Sequence, residues 1–156
     1  MTNNHILRRL RYTFDFDDHK MIDIFALGKL NTNRAKISNW LKKDTDPDFV
    51  ELTDKQLNLF LDGLISLFRG EKSGQKPRPI EYLNNNIILR KLKIALNLKD
   101  FEILEILSLA GKNLSKHELS AFFRSPKQKQ YRECQDQVLR NFLQGLQKKY
   151  RDTTTE

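Results

Sequence analysis

The stretch NNNIILRKLKIALNLKDFEILEILSL, residues 84–109, decides how this chain is read, because the chain contains it twice. Displaced by 82 residues, positions 3–64 lie over 85–146 without a gap, and 18 of the 62 pairs are identical. The front of the match holds Asn3/Asn85, Asn4/Asn86, Ile6/Ile88, Leu7/Leu89, Arg8/Arg90 and Leu10/Leu92. The back holds Glu51/Glu133, Asp54/Asp136, Leu57/Leu139, Phe60/Phe142, Leu61/Leu143, Gly63/Gly145 and Leu64/Leu146. Most matched pairs are apolar and recur three or four residues apart, the spacing of one helix face. Such a unit is longer than the common solenoid repeats and long enough to be a small helical bundle with its own core.

Working outward from the repeat, each unit reads as four helices. Asn3 or Asn4 is placed to cap the first, which carries Ile6, Leu7, Leu10 and Phe14 on one stripe and Arg8, Arg9 and Arg11 on the other side. Asp15, Asp17 and Asp18 precede a second, mostly apolar helix that Gly28 ends. Asn33 starts the third, and in the second copy the start is the capping box Ser115-Lys-His-Glu118. The box Thr53-Asp-Lys-Gln56 starts the fourth, with its stripe of Leu57, Phe60, Leu61, Leu64 and Phe68. No strand pattern appears. The expected fold is all-α, a tandem repeat of two similar four-helix units: repeat 1 over residues 1–70, a basic linker over 71–80, repeat 2 over 81–150 and a disordered tail over 151–156.

The paired NN-x-ILR segments, the LKD-x-EI run (Leu98, Lys99, Asp100, Glu102, Ile103) and YREC-x-DQ-x-LRNFL-x-GL over residues 131–146 resemble the YehS-like family of bacterial proteins. The resemblance covers nearly the whole chain. It implies a domain of unknown function present in tandem copies, and it transfers no catalytic or binding residues. The first copy departs further from the pattern, with FDD for LKD and FVEL for YREC.

The 156 residues suffice for one ordinary domain or two small ones. No apolar run approaches the length of a membrane span, and the polar start MTNNHILRRLR lacks a signal-peptide core. The single cysteine, Cys134, excludes an internal disulfide. A cytoplasmic bacterial protein is the expectation. The net charge of +8 is uneven: residues 81–146 hold 11 Lys/Arg against 7 Asp/Glu, whereas residues 1–70 hold 11 against 10. A basic excess points toward a polyanionic partner.

The motifs argue against an enzyme. None of His5, His19 and His117 recurs in the other copy, no Cys/His pair has zinc spacing, and no nucleotide-binding or nucleophile-elbow loop is present. No cofactor or metal is expected. Glu51/Glu133 and Asp54/Asp136 are candidate acid/base carboxylates, yet their position before a helix equally suits the helix dipole. Arg132 beside Cys134 could activate the thiol, but the counterpart Leu52 suggests a buried, inert one. Arg8/Arg90 could reach phosphate or could pair with Asp18/Asp100 or Asp54/Asp136. The second and third helices can be read as a helix-turn-helix or as a plain helical hairpin.

The remaining signal is a basic, aromatic-spiked set: Arg124, Lys127, Lys129, Tyr131 and Arg132, followed by Lys148 and Lys149. Cations grip phosphate and aromatic rings stack on bases. These seven are the candidate nucleic-acid-binding residues of a non-enzymatic binding protein for RNA or DNA. A protein-interaction module with no nucleic-acid role is the alternative.

Overall fold

A computed structural model describes residues 1–70 and 82–152. In these residues the chain is helical, with no strand. Repeat 1 contains α1 (Asn3–Phe14), α2 (Asp18–Leu27), α3 (Arg34–Leu41) and α4 (Asp54–Arg69). Repeat 2 contains α5 (Asn85–Ala95), α6 (Asp100–Leu109), α7 (Lys116–Phe122) and α8 (Asp136–Gln147), and α8 runs into a π-helical turn, Lys148–Asp152. The linker expected over residues 71–80 lies outside the described residues, as do residues 153–156 of the expected tail.

Local chemistry starts most of these helices where the sequence places them. The Asp17, Asn33, Thr53, Asn84 and Ser115 side chains each accept a hydrogen bond from a backbone N–H of the first turn. Thr53/Gln56 and Ser115/Glu118 close reciprocal capping boxes. The first helix differs from expectation. Thr2, not Asn3 or Asn4, is its cap, which releases both asparagines for longer-range work.

Asn4 is buried and holds the α3–α4 loop. Its amide donates to the carbonyls of Trp40 and Val50, both at 2.9 Å, and its Oδ1 accepts from the Leu52 N–H at 3.0 Å. Asn86 repeats this with the carbonyls of Phe122 (3.1 Å) and Arg132 (2.8 Å) and the N–H of Cys134 (2.9 Å). Asn3 donates to the Leu52 carbonyl and to Asp54, and Asn85 to the Cys134 carbonyl and to Asp136. The repeated NN pair thus stitches the first helix of each unit to the loop that introduces its fourth.

Within each unit the second helix packs on the fourth through a glycine. A Cβ on Gly63 would lie 1.9 Å from the Ile24 carbonyl oxygen, and one on Gly145 would lie 2.0 Å from that of Ile106. Only the absence of a side chain allows that approach.

The two units dock. Their buried apolar side chains form one continuous core from Ile6 to Leu146. The docking follows an exchange pattern: α4 packs on α5, and α8, the counterpart of α4, packs on α1, the counterpart of α5. Both pairs run parallel, because equivalent ends meet. The terminal amine of Met1 reaches Asp136 at 3.1 Å, beside the N-terminal ends of α1 and α8. At the C-terminal ends, Arg151 donates to the Tyr12 carbonyl (3.0 Å) and to Asp15 (2.9 Å). Eighty-two residues earlier in the chain, Arg69 donates to the Ile94 carbonyl (3.3 Å) and to Asn97 (3.0 Å), the counterparts of Tyr12 and Asp15. The chain is an internal pair related by an approximate two-fold axis.

Candidate nucleic-acid interface

The retained polar residues are absorbed by the scaffold. Asp54 and Asp136 accept from Asn3 and Asn85 at 2.8 and 2.7 Å. The Asn85 amide, followed by the terminal amine, holds the Asp136 carboxyl below its ordinary range. Glu51 and Glu133 are exposed on the loops preceding α4 and α8. Arg8 and Arg90 do not pair with the retained aspartates. Arg8 donates to the Lys42 carbonyl at 2.8 Å and Arg90 to the Phe123 carbonyl at 2.9 Å, so both satisfy the C-terminal end of the third helix of their unit. Asp18 pairs instead with Arg34, and Asp100 with Lys93. Cys134 is buried, and burial pushes its thiol up to about 12, which leaves it protonated and unreactive.

A helix-turn-helix needs a free, base-reading first turn on its second helix. In α7 that turn carries Glu118, locked to Ser115 and held ionised by that hydrogen bond. In α3 it carries Arg34, committed to Asp18 at 2.8 Å. The hairpin geometry serves packing: Ile37 and Trp40, and Leu119 and Phe122, are buried on the inner faces of α3 and α7.

The seven basic and aromatic candidates fall into two groups. Arg124, Lys127, Lys129, Tyr131 and Arg132 share the α7–α8 loop. Lys127, Lys129 and Arg132 are exposed, and Arg124 is half-buried. Tyr131 is half-buried too, and burial, with Glu133 near it, raises its phenol above the ordinary value. The loop is fixed from beneath by Asn86 and by the Arg132 N–H, which donates to the Ala121 carbonyl at 3.2 Å. Lys148 and Lys149 lie beyond the opposite end of α8, a helix about 18 Å long at the usual rise per residue. There Lys148 donates to the Leu109 carbonyl at 3.1 Å, and Lys149 lines a groove with Leu104, Leu109 and Leu114. One contiguous seven-residue patch does not form.

The equivalent loop of repeat 1 sharpens the contrast. Residues 42–53 carry Lys42 and Lys43 against Asp44, Asp46, Asp48 and Glu51, whereas residues 124–135 carry Arg124, Lys127, Lys129 and Arg132 against Glu133. Two loops on the same scaffold have opposite charge.

A model of a protein family of unknown function, DUF1456, matches the chain twice, over residues 3–70 and 85–152. The chain belongs to this family. The two DUF1456 segments coincide with the two four-helix units and keep the 82-residue offset. The chain is also 40% identical over 147 residues to the uncharacterized protein YehS of Escherichia coli (strain K12), covering 94% of each. No solved structure matches. In a DUF1456 chain built this way, the first and last helices form a crevice that sequence reading does not assemble. His5, Arg8, Arg9, Arg11 and Tyr12 of α1 line it with Asp18 of α2, Leu41 of α3 and Gln147 of α8, around about 440 Å³. The run RRLR was visible as the polar side of α1, but its apposition to α8 depends on docking between the repeats, which local spacing does not encode. Among the described residues, no three His, Cys, Asp or Glu side chains converge as metal ligands would, and no helix is long and apolar enough to cross a membrane.

Proposed function

We propose that the chain is a non-catalytic, cytoplasmic binding protein for RNA or DNA, gripping the phosphate backbone through the α7–α8 loop. The observation that carries this reading is the charge reversal between equivalent loops. The scaffold tolerates an acidic loop at one site, so folding does not demand the basic one. Lys127, Lys129 and Arg132 supply exposed cations, Arg124 a fourth, and Tyr131 an aromatic edge among them. Lys148 and Lys149, beyond the far end of α8, are a separate pair of cations that only a longer strand would reach.

Fluorescence anisotropy with short labelled single- and double-stranded RNA and DNA, across a salt series, tests it. Four cations engaging phosphates give a slope of log K against log salt of roughly −3. Replacing Lys127, Lys129 and Arg132 together by Ala should remove most of that slope. Absence of binding at low salt, for a protein of charge +8, rejects the reading. A protein partner is the second reading, and the exposed Phe101 and Leu109 of α6, the latter lining an apolar groove, favour it. A partner that survives nuclease treatment and is lost on Leu109→Asp would select it.

A further inference from the structure

The internal two-fold axis permits a comparison that needs no second protein. The α4/α5 interface and the α8/α1 interface are built from equivalent positions, yet their charges differ. In α4/α5, Lys91 pairs with Asp62. Lys93, one turn-face away, pairs with Asp100 and lies 4.4 Å from the centre of the Phe123 ring. The counterparts in α1 are Arg9 and Arg11. The counterpart of Asp62 is Gln144, so α8 offers Arg9 no carboxylate there. The counterpart of Asp100 is Asp18, which Arg34 engages at 2.8 Å. Asn58 of α4 becomes Arg140 of α8, and Ile87 of α5 becomes His5 of α1. Two of these exchanges, Asp62 to Gln144 and Asn58 to Arg140, make the interface more cationic, and the third sets a titratable imidazole beside it.

We infer that this crevice between α1 and α8 is a binding site for a phosphate dianion, either free or at the end of a nucleotide strand. The cavity of about 440 Å³ admits one or two phosphate groups. Arg8, Arg9 and Arg11 line it; Arg140 of α8, which donates to Gln137 at 2.8 Å, is not in its wall but is close enough for its charge to act on His5. Three arginines bordering one concave space offer the planar donors that suit phosphate oxygens. Arg8 spends one nitrogen on the Lys42 carbonyl and keeps its remaining donors. The acids that face the crevice are Asp18 of α2, already paired with Arg34, and Asp152 of the closing turn, which acts on Arg9. His5 reports the field of the site. Burial, then Arg9, Arg8, Arg140 and the terminal amine, hold its imidazole below the ordinary value. A bound dianion reverses that field, raises the His5 pKa and makes binding tighten as pH falls through it.

The site shares no residue with the α7–α8 loop, and the experiment separates them. His5 is followed by NMR through a pH titration of the full chain, with and without pyrophosphate at low ionic strength. The His5 pKa is expected to rise by about one unit, with His19 and His117 unmoved. Gln144→Asp, which adds a carboxylate beside the anion, and Arg140→Asn, which removes a nearby cation, install the residues of the α4/α5 interface and should each weaken binding about tenfold. Both variants are confirmed folded by circular dichroism. The combined Lys127, Lys129 and Arg132 alanine variant should respond like the parent chain. An oligonucleotide carrying a 5′-phosphate that moves His5 more than pyrophosphate does identifies a strand end, and the reverse order identifies a free anion. The inference is overturned if His5 ignores every phosphate probe, if a 5′-hydroxyl oligonucleotide moves it as far as the phosphorylated one, or if Gln144→Asp and Arg140→Asn bind undiminished.

Discussion

At the scale of single residues, the asparagine pair at the start of each repeat shows how a short polar motif can be structural over a long range. Asn86 makes three hydrogen bonds to backbone groups 36 to 48 positions away. Asn86→Ala leaves two carbonyls and one N–H without partners, and at about 1 kcal/mol for each bond the loss is about 3 kcal/mol. Urea unfolding of the variant checks it, and Asn4→Ala should cost a similar amount. The motif itself was legible, because it appears twice. Its role was not: asparagine before an apolar stripe reads as a cap, and nothing in local spacing reveals a reach to the α7–α8 loop. Cys134 was legible for the opposite reason, since an apolar counterpart implies an apolar site. With its thiol raised to about 12 by burial, the contribution of the neutral form is fully present below pH 9 and is lost as pH rises toward the folded value. A thiol-reactive disulfide reagent at pH 8 should therefore modify Cys134 only at the rate of unfolding.

At the scale of elements, the helices were readable because their starts are written in side chains. Asp17, Asn33, Thr53 and Ser115 cap where the sequence marks a beginning, and the stripe of α4 buries Leu57, Phe60, Leu61 and Leu64. Gly63 and Gly145 were visible as a repeated pair, but their contact with α2 and α6 was not. Alanine normally favours a helix over glycine by about 1 kcal/mol. Here the added methyl would overlap a carbonyl oxygen of the facing helix, and forcing packed elements apart costs about 1–3 kcal/mol beyond that gain. Gly145→Ala is therefore expected to lower Tm in a thermal scan, against the sign of intrinsic propensity. A rise in Tm would mean that α6 shifts away without loss.

At the scale of the whole molecule, docking between the repeats is the feature that the sequence withheld, because both units carry similar apolar stripes and either could have faced inward alone. The faces of α1 and α4 that meet α8 and α5 are left uncovered in an isolated repeat. Residues 1–70 expressed alone should therefore associate through a second copy standing in for repeat 2, and unfold at a temperature that rises with concentration. Sedimentation gives the answer, and a stable monomer would contradict the exchange pattern. A two-fold axis within one chain also has a freedom that an axis between two chains lacks. In a homodimer every residue occurs on both sides, so any recess near the axis comes in duplicate. Fusion lifts that constraint: Asp62 closes one recess electrostatically while Gln144 leaves the other open. The molecule thereby acquires a front and a back, and saturates with one anion per chain where its symmetric equivalent would take two.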